Sequence, residues 1–105
     1  MTDENVTALI EVKISPQFGE GYDRIAQRIY QYDEVESLFL MTGSYDLLVT
    51  MNVKSMQEAA VFVYEKLAAI EGVTSTATRF IMKKYKEGNK VLVKEPVQEK
   101  GEIFI

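Results

Sequence analysis

The stretch Leu38–Val53, LFLMTGSYDLLVTMNV, constrains the fold of this chain most. Two apolar runs, Leu38–Met41 and Leu47–Val53, flank a polar break at Thr42-Gly43-Ser44-Tyr45-Asp46. Runs of this length, rich in Leu, Val and Phe and bounded by Gly and Ser, read as two strands joined by a tight turn. Gly43 can supply the positive φ that such a turn often needs. Neither run alternates apolar with polar residues, so both faces of the hairpin are expected to be buried. Helices can cover only one of them, and the chain has 105 residues. The uncovered face would exceed the few hundred Å² of apolar patch usual on monomers, and a partner is expected to close it.

The rest of the chain supplies the layers around this hairpin. Val6–Ile14 alternates, with Ala8, Ile10, Val12 and Ile14 on one side and Thr7, Leu9, Glu11 and Lys13 on the other, which makes strand one. Ser15-Pro16 ends it. Phe18, Tyr22, Ile25, Ala26, Ile29 and Tyr30 then fall on one face of a helix that ends near Tyr32-Asp33. Strand two is read over 35–41 and strand three over 46–53. Ser55-Met56-Gln57-Glu58 is a capping box, in which the Ser55 hydroxyl and the Glu58 carboxylate each satisfy a free backbone N–H. The helix it opens buries Ala59, Ala60, Val63, Leu67 and Ile70, with Phe62 alongside, and closes at Gly72. Strand four covers 73–84, with Thr74, Thr76, Thr78, Phe80 and Met82 on one face. Gly88-Asn89 marks a turn, Lys90–Lys94 a short fifth strand, and Pro96 a break before a tail that ends Ile103-Phe104-Ile105. The order strand, helix, strand, strand, helix, strand is the split βαβ, or ferredoxin-like, plan. Its class is α+β, an antiparallel sheet with two helices on one face.

Composition removes whole classes of chemistry. There is no histidine and no cysteine, hence no disulfide, no thiolate, none of the commonest metal ligands and no usual general base. Asp23, Glu34, Glu36, Glu58 and Glu65 are placed at exposed helix or loop positions, where carboxylates are ordinary solvated charges. No catalytic residue, metal ligand or cofactor is expected. Gly19-x-Gly21 lacks the third glycine of a dinucleotide site. The net charge of −4 argues against general nucleic-acid binding, and Glu87 and Glu95 interrupt the basic residues Arg79, Lys83, Lys84, Lys86 and Lys90. No apolar run approaches the roughly 18 residues of a membrane helix, and the start, Met1–Asn5, is not a secretory signal. A cytoplasmic location fits.

What remains is the turn Thr42–Asp46 and the threonine row Thr74, Thr76, Thr78. A small zwitterion such as an amino acid needs donors for its carboxylate and an acceptor for its ammonium. Backbone N–H groups around Gly43 and Ser44 can donate, Asp46 is a charged acceptor, and threonine hydroxyls do either. The same residues also have plain structural readings: Asp after a turn often bonds nearby backbone, and threonines suit strands.

The segment Leu40-Met41-Thr42-Gly43-Ser44-Tyr45-Asp46-Leu47-Leu48-Val49 resembles the signature hairpin of the Lrp/AsnC family of transcriptional regulators, in their C-terminal effector domain. Ile70-Glu71-Gly72-Val73-Thr74-Ser75-Thr76-Ala77-Thr78 resembles the join between that domain's second helix and last core strand. The resemblance runs from strand one to Val93. It implies a βαββαβ fold of the dimeric α+β barrel type, dimers formed sheet against sheet, and rings of dimers such as an octamer. It also implies an amino-acid effector bound between dimers at Thr42, Gly43, Ser44, Tyr45 and Asp46, with Thr76 and Thr78. The usual members carry an N-terminal helix-turn-helix domain, and here strand one begins within about six residues of Met1. The expectation is a single stand-alone effector domain over 1–105, with a core over about 6–94 and a tail over 95–105. It would have no helix-turn-helix, no direct contact with nucleic acid or membrane, and full-length relatives among its partners. The entry to helix one, Pro16-Gln17-Phe18-Gly19-Glu20-Gly21, departs from the family's shorter Pro-Gly entry. Two other readings stand beside it: a ligand-free modulator of a relative's assembly, and a small α+β barrel enzyme. The related tetrapyrrole decarboxylases look to histidine, which this chain lacks.

Overall fold

The computed structural model describes residues 5–15 and 21–93. Strand β1 (Val6–Ile14) is central and pairs on both sides, with β3 (Leu47–Val53) and with β4 (Val73–Phe80). Strand β2 (Ser37–Leu40) pairs with β3 at the edge, so the antiparallel sheet runs β2-β3-β1-β4. Helices α1 (Gly21–Tyr30) and α2 (Met56–Phe62) supply the second layer. This is the ferredoxin-like α+β sandwich that the element order implies. The core lies between the layers: Ala8, Ile10, Val12 and Ile14 from β1, Leu47, Val49, Met51 and Val53 from β3, and Ile25, Ile29, Ala59, Phe62, Leu67 and Ile70 from above.

Two departures in the helices have physical causes. The Ser55 hydroxyl accepts from Glu58 N at 3.1 Å, as a capping box requires, but the Glu58 carboxylate accepts from Lys54 N at 2.7 Å, one residue earlier than expected. After Phe62 the helix widens into a π-helical turn over Val63–Leu67, closed by Ala68 N donating to Val63 O at 2.8 Å. In a regular α-helix, residues five apart point about 140° from each other. The wider turn brings Phe62 and Leu67 into the core together. Ala60, expected inside, is exposed, and Val63 is half-buried. The Phe62 ring meets Tyr32 edge-to-face at 5.6 Å, so Tyr32, just past α1, closes that side of the core.

Several boundaries are shorter than expected. Helix α1 stops at Tyr30, β2 spans Ser37–Leu40, and β4 ends at Phe80 rather than at residue 84. The chain then leaves the sheet through Ile81, whose N–H donates to Thr7 O, and forms a small hairpin, β5 (Lys86–Glu87) and β6 (Lys90–Val91), turning through Gly88-Asn89. The fifth strand therefore covers only Lys90–Val91 of the Lys90–Lys94 reading, among the described residues. Phe18, the helix entry 16–20 and the tail 94–105 lie outside the described residues.

The sheet face away from the helices corrects the two-faced apolarity expected of the hairpin. Along β3, buried residues alternate with Leu48 and Thr50, half-buried, and Asn52, exposed. The register sets Phe39 opposite Leu48 and Ser37 opposite Thr50. This face carries Leu9, Phe39, Leu48 and Ala77 among Thr7, Glu11, Lys13, Thr50, Asn52, Ser75 and Arg79. It is a mixed surface on which Phe39 is 52% exposed. The period-2 pattern is masked in the sequence by Leu48, an apolar residue at an outward position between Leu47 and Val49.

Candidate functional site: the Thr42–Asp46 turn at the end of β1

The turn between β2 and β3 lies against the C-terminal end of β1, and Asp46 is its anchor. Asp46 N donates to Val12 O at 3.0 Å, its carbonyl accepts from Met41 N at 2.8 Å, and its carboxylate Oδ2 accepts from Ile14 N at 2.8 Å. The β1–β4 register shifts between Lys13 and Ile14, and Ile14 sits just past that irregularity. The Asp46 carboxylate thus serves a backbone donor where the ladder is broken. Gly43 takes φ 118°, a left-handed value that a side chain would strain.

Above that anchor, Thr42, Gly43 and Ser44 are exposed and Tyr45 is half-buried. Among the described residues, no hydrogen bond uses the backbone N–H of Thr42, Gly43, Ser44 or Tyr45. The Lys13 ammonium donates to Ser44 O at 3.1 Å. On the other side of β1, Thr74 Oγ1 donates to Lys13 O at 3.2 Å and Ser15 N donates to Gly72 O at 2.9 Å. The end of β1 therefore ties the turn to the segment that leads into β4.

The candidate residues are only partly gathered. Thr42 to Asp46 form one continuous surface. Thr76 pairs with Val12, whose other neighbour is Leu47, so it lies one strand away from the turn. Thr78 pairs with Ile10, deeper along the sheet. Both threonines are half-buried on the helix side, opposite core residues of β1, whereas Lys13 pairs with Ser75 on the other face. Lys13 was absent from the candidates because only the register reveals that it reaches the turn. On the same face as Lys13, Arg79 Nε donates to Glu11 Oε2 at 3.0 Å. That bond, then the Glu11 charge, holds the guanidinium pKa above its ordinary value, with Tyr45 a smaller contributor in the same direction.

Two adjoining clefts of about 450 and 280 Å³ open at the other end of β1, around Thr7 and Asn52. A third, of about 300 Å³, lies beside Phe62 and Lys66. Among the described residues, no group of three or more carboxylates is arranged to hold a metal, and no helix is long and apolar enough to cross a membrane.

Residues 7–91 match the model of the Lrp/AsnC ligand binding domain. An uncharacterized HTH-type transcriptional regulator of Bacillus subtilis, YugG, is 51% identical over 88 residues, covering 84% of this chain and 53% of that protein. HTH-type regulator FL11 of Pyrococcus furiosus is 30% identical over 86% of this chain and 57% of its own length. The chain thus spans about half the length of the curated relatives it matches, and those relatives are transcriptional regulators rather than enzymes. Among solved structures, a Neisseria meningitidis transcriptional regulator in complex with L-Met superposes with a TM-score of 0.68 at 26% identity, over 82% of this chain and 55% of that one. Escherichia coli AsnC superposes with the same TM-score at 17% identity, over 90% and 57%, which speaks to the fold. With the family model spanning β1 through β6 and the signature hairpin folded as its sequence implies, this chain belongs to the Lrp/AsnC ligand-binding-domain family.

Proposed function

We propose that this chain is an amino-acid-sensing regulatory domain, cytoplasmic and oligomeric, that acts on transcription through protein partners, full-length relatives among them. It would not contact nucleic acid itself. The observation that carries the reading is the turn itself: Thr42–Tyr45 present four backbone donors with no partner among the described residues, on a loop anchored from below by Asp46. Backbone donors left free on a fixed loop suit a carboxylate. The Neisseria relative crystallised with L-Met makes an amino acid the natural effector class. The effector would sit between dimers, at Thr42, Gly43, Ser44, Tyr45 and Asp46, with Thr76 and Thr78, which lie apart from the turn within one chain, contributing from a neighbouring copy. The dimer would close the mixed sheet face through Leu9, Phe39 and Leu48, and dimers would join into a ring such as an octamer.

Light scattering and a thermal-shift panel of the twenty L-amino acids test both halves. The expected outcome is a species larger than the 12.0 kDa chain, and a rise in melting temperature with one amino acid or a chemically related few. At one hundred times the dissociation constant the stabilisation is roughly 2.7 kcal/mol. A monodisperse monomer at micromolar concentration refutes the assembly. An oligomer indifferent to every amino acid favours instead the ligand-free assembly modulator, a reading consistent with the Asp46 carboxylate already serving Ile14 N.

A further inference from the structure

Lys13 is the one feature at the turn that the effector-binding reading does not use. Its ammonium rests on Ser44 O at 3.1 Å, and it has no carboxylate partner among the described residues. The neighbouring Arg79, by contrast, is engaged by Glu11 at 3.0 Å. An ammonium has three donors, and one hydrogen bond to a carbonyl leaves two. Lys13 is exposed in the single chain, at the end of β1 beside the turn. Beside it lie the unpartnered N–H groups of Thr42, Gly43, Ser44 and Tyr45. A Cβ built on Gly43 would meet nothing within 4 Å, so this backbone is open to approach. The Lys13 ammonium and these N–H groups together make a patch of donors and positive charge on this side of the turn. The Asp46 carboxylate keeps its negative charge, but one of its oxygens is held on the β1 side of the turn by the amide of Ile14.

We propose that the site is polarised, with Lys13 and the Thr42–Tyr45 backbone receiving the carboxylate of the effector amino acid. Lys13 is then a binding residue that selects for a free α-carboxylate. This inference rests on the effector-binding reading and adds the orientation of the ligand to it. Discrimination comes from charge: a carboxylate beside an ammonium forms a charge-assisted bond, whereas the same molecule amidated presents a neutral carboxamide and keeps its own positive charge. The ligand class is thus free amino acids, with their amides excluded.

The test uses the whole chain, the twenty L-amino acids as probes, and then the carboxamide of each amino acid that raises the melting temperature. Wild type is expected to prefer the acid over its amide. Lys13→Met is expected to need about tenfold or more acid for the same shift, and to lose most of the acid-over-amide preference. Lys13→Arg, which keeps the charge, should retain both. Melting of each variant without ligand shows that it is folded, and the acid-to-amide ratio is a readout that a purely structural lysine would not move. A wild type indifferent to all twenty amino acids overturns this inference together with the effector-binding reading. A wild-type response that persists in Lys13→Met with the acid-over-amide preference intact overturns the Lys13 assignment alone.

Discussion

Replacing Asp46 with alanine isolates the structural work of its carboxylate. The backbone bonds of Asp46 to Val12 and Met41 survive the substitution, and only the Oδ2 acceptor for Ile14 N is removed. Ile14 is 5% exposed, so water reaches its amide poorly once the partner is gone. Hydrogen bonds to charged groups are worth roughly 1.5–3 kcal/mol, and a buried donor left unsatisfied falls in the same range. In a domain of about 100 residues each kcal/mol moves the melting temperature by roughly 4–8 °C. Asp46→Ala should therefore melt about 6–24 °C below wild type, on multiplying those ranges. Asp46→Asn keeps a carbonyl oxygen that can accept from Ile14 N and should recover about half of the loss, since a neutral bond is worth roughly half a charge-assisted one. Circular-dichroism melts without ligand, at one protein concentration because assembly makes the midpoint concentration-dependent, make the comparison. An alanine variant melting within about one degree of wild type would refute the bracing role. The asparagine variant has a second use: if Asp46 also pairs with an effector ammonium, Asp46→Asn weakens the response to amino acids although its fold is restored.

Other parts of the structure give further expectations. Ser55→Ala removes the N-cap acceptor of Glu58 N and should cost about 1 kcal/mol in denaturant titration, with Ser55→Thr close to wild type. Gly72, buried at φ 104°, should tolerate alanine poorly, losing about 1–3 kcal/mol, and an unchanged midpoint would contradict that backbone conformation. The Glu34 carboxyl pKa is lowered by its 2.8 Å hydrogen bond from Lys66. Its contribution is therefore present above the ordinary carboxyl value and fades as the pH falls through the lowered folded value. The stability gap between wild type and Glu34→Gln should be constant from pH 6 to 8 and narrow below about pH 4.5, and a gap that widened on acidification would reverse the sign of that linkage.

The elements legible in the sequence were those whose signals are local. The alternation of β1, the Ser55 cap and the Gly43 turn each follow from neighbouring residues, and the order of elements then leaves few topologies. The π-helical turn was not legible, because the spacing of Phe62, Leu67 and Ile70 passes for an ordinary helical stripe unless one asks how residues five apart share a face. The far face of the sheet was misjudged because Leu47-Leu48-Val49 reads as continuous apolarity, and only the register separates Leu48 from its buried neighbours. The site divides the same way. The Thr42–Asp46 surface is contiguous in sequence and was found there. Lys13, 31 residues from Ser44, was not, and neither was the bond that engages Asp46.

The turn also shows how stability and binding capacity are separated within a few residues. Its anchoring comes from the Asp46 end, where backbone and side chain together make three bonds to β1 and to Met41. The Thr42–Tyr45 end adds one bond, from the Lys13 ammonium to Ser44 O, and among the described residues leaves its four N–H groups unspent. A loop fixed at one end can present those donors without reorganising on binding, which lowers the entropic cost of capture. An exposed turn on one chain cannot, however, enclose the 70–90% of ligand surface that small-molecule sites usually bury. On the effector-binding reading, the remaining wall must come from another copy, and affinity is then coupled to assembly by the same free energy in both directions. Substitutions on the mixed sheet face, at Phe39 or Leu48, would weaken amino-acid binding without touching the turn, while Lys13 would act on binding directly. That difference separates residues that build the assembly from residues that hold the ligand.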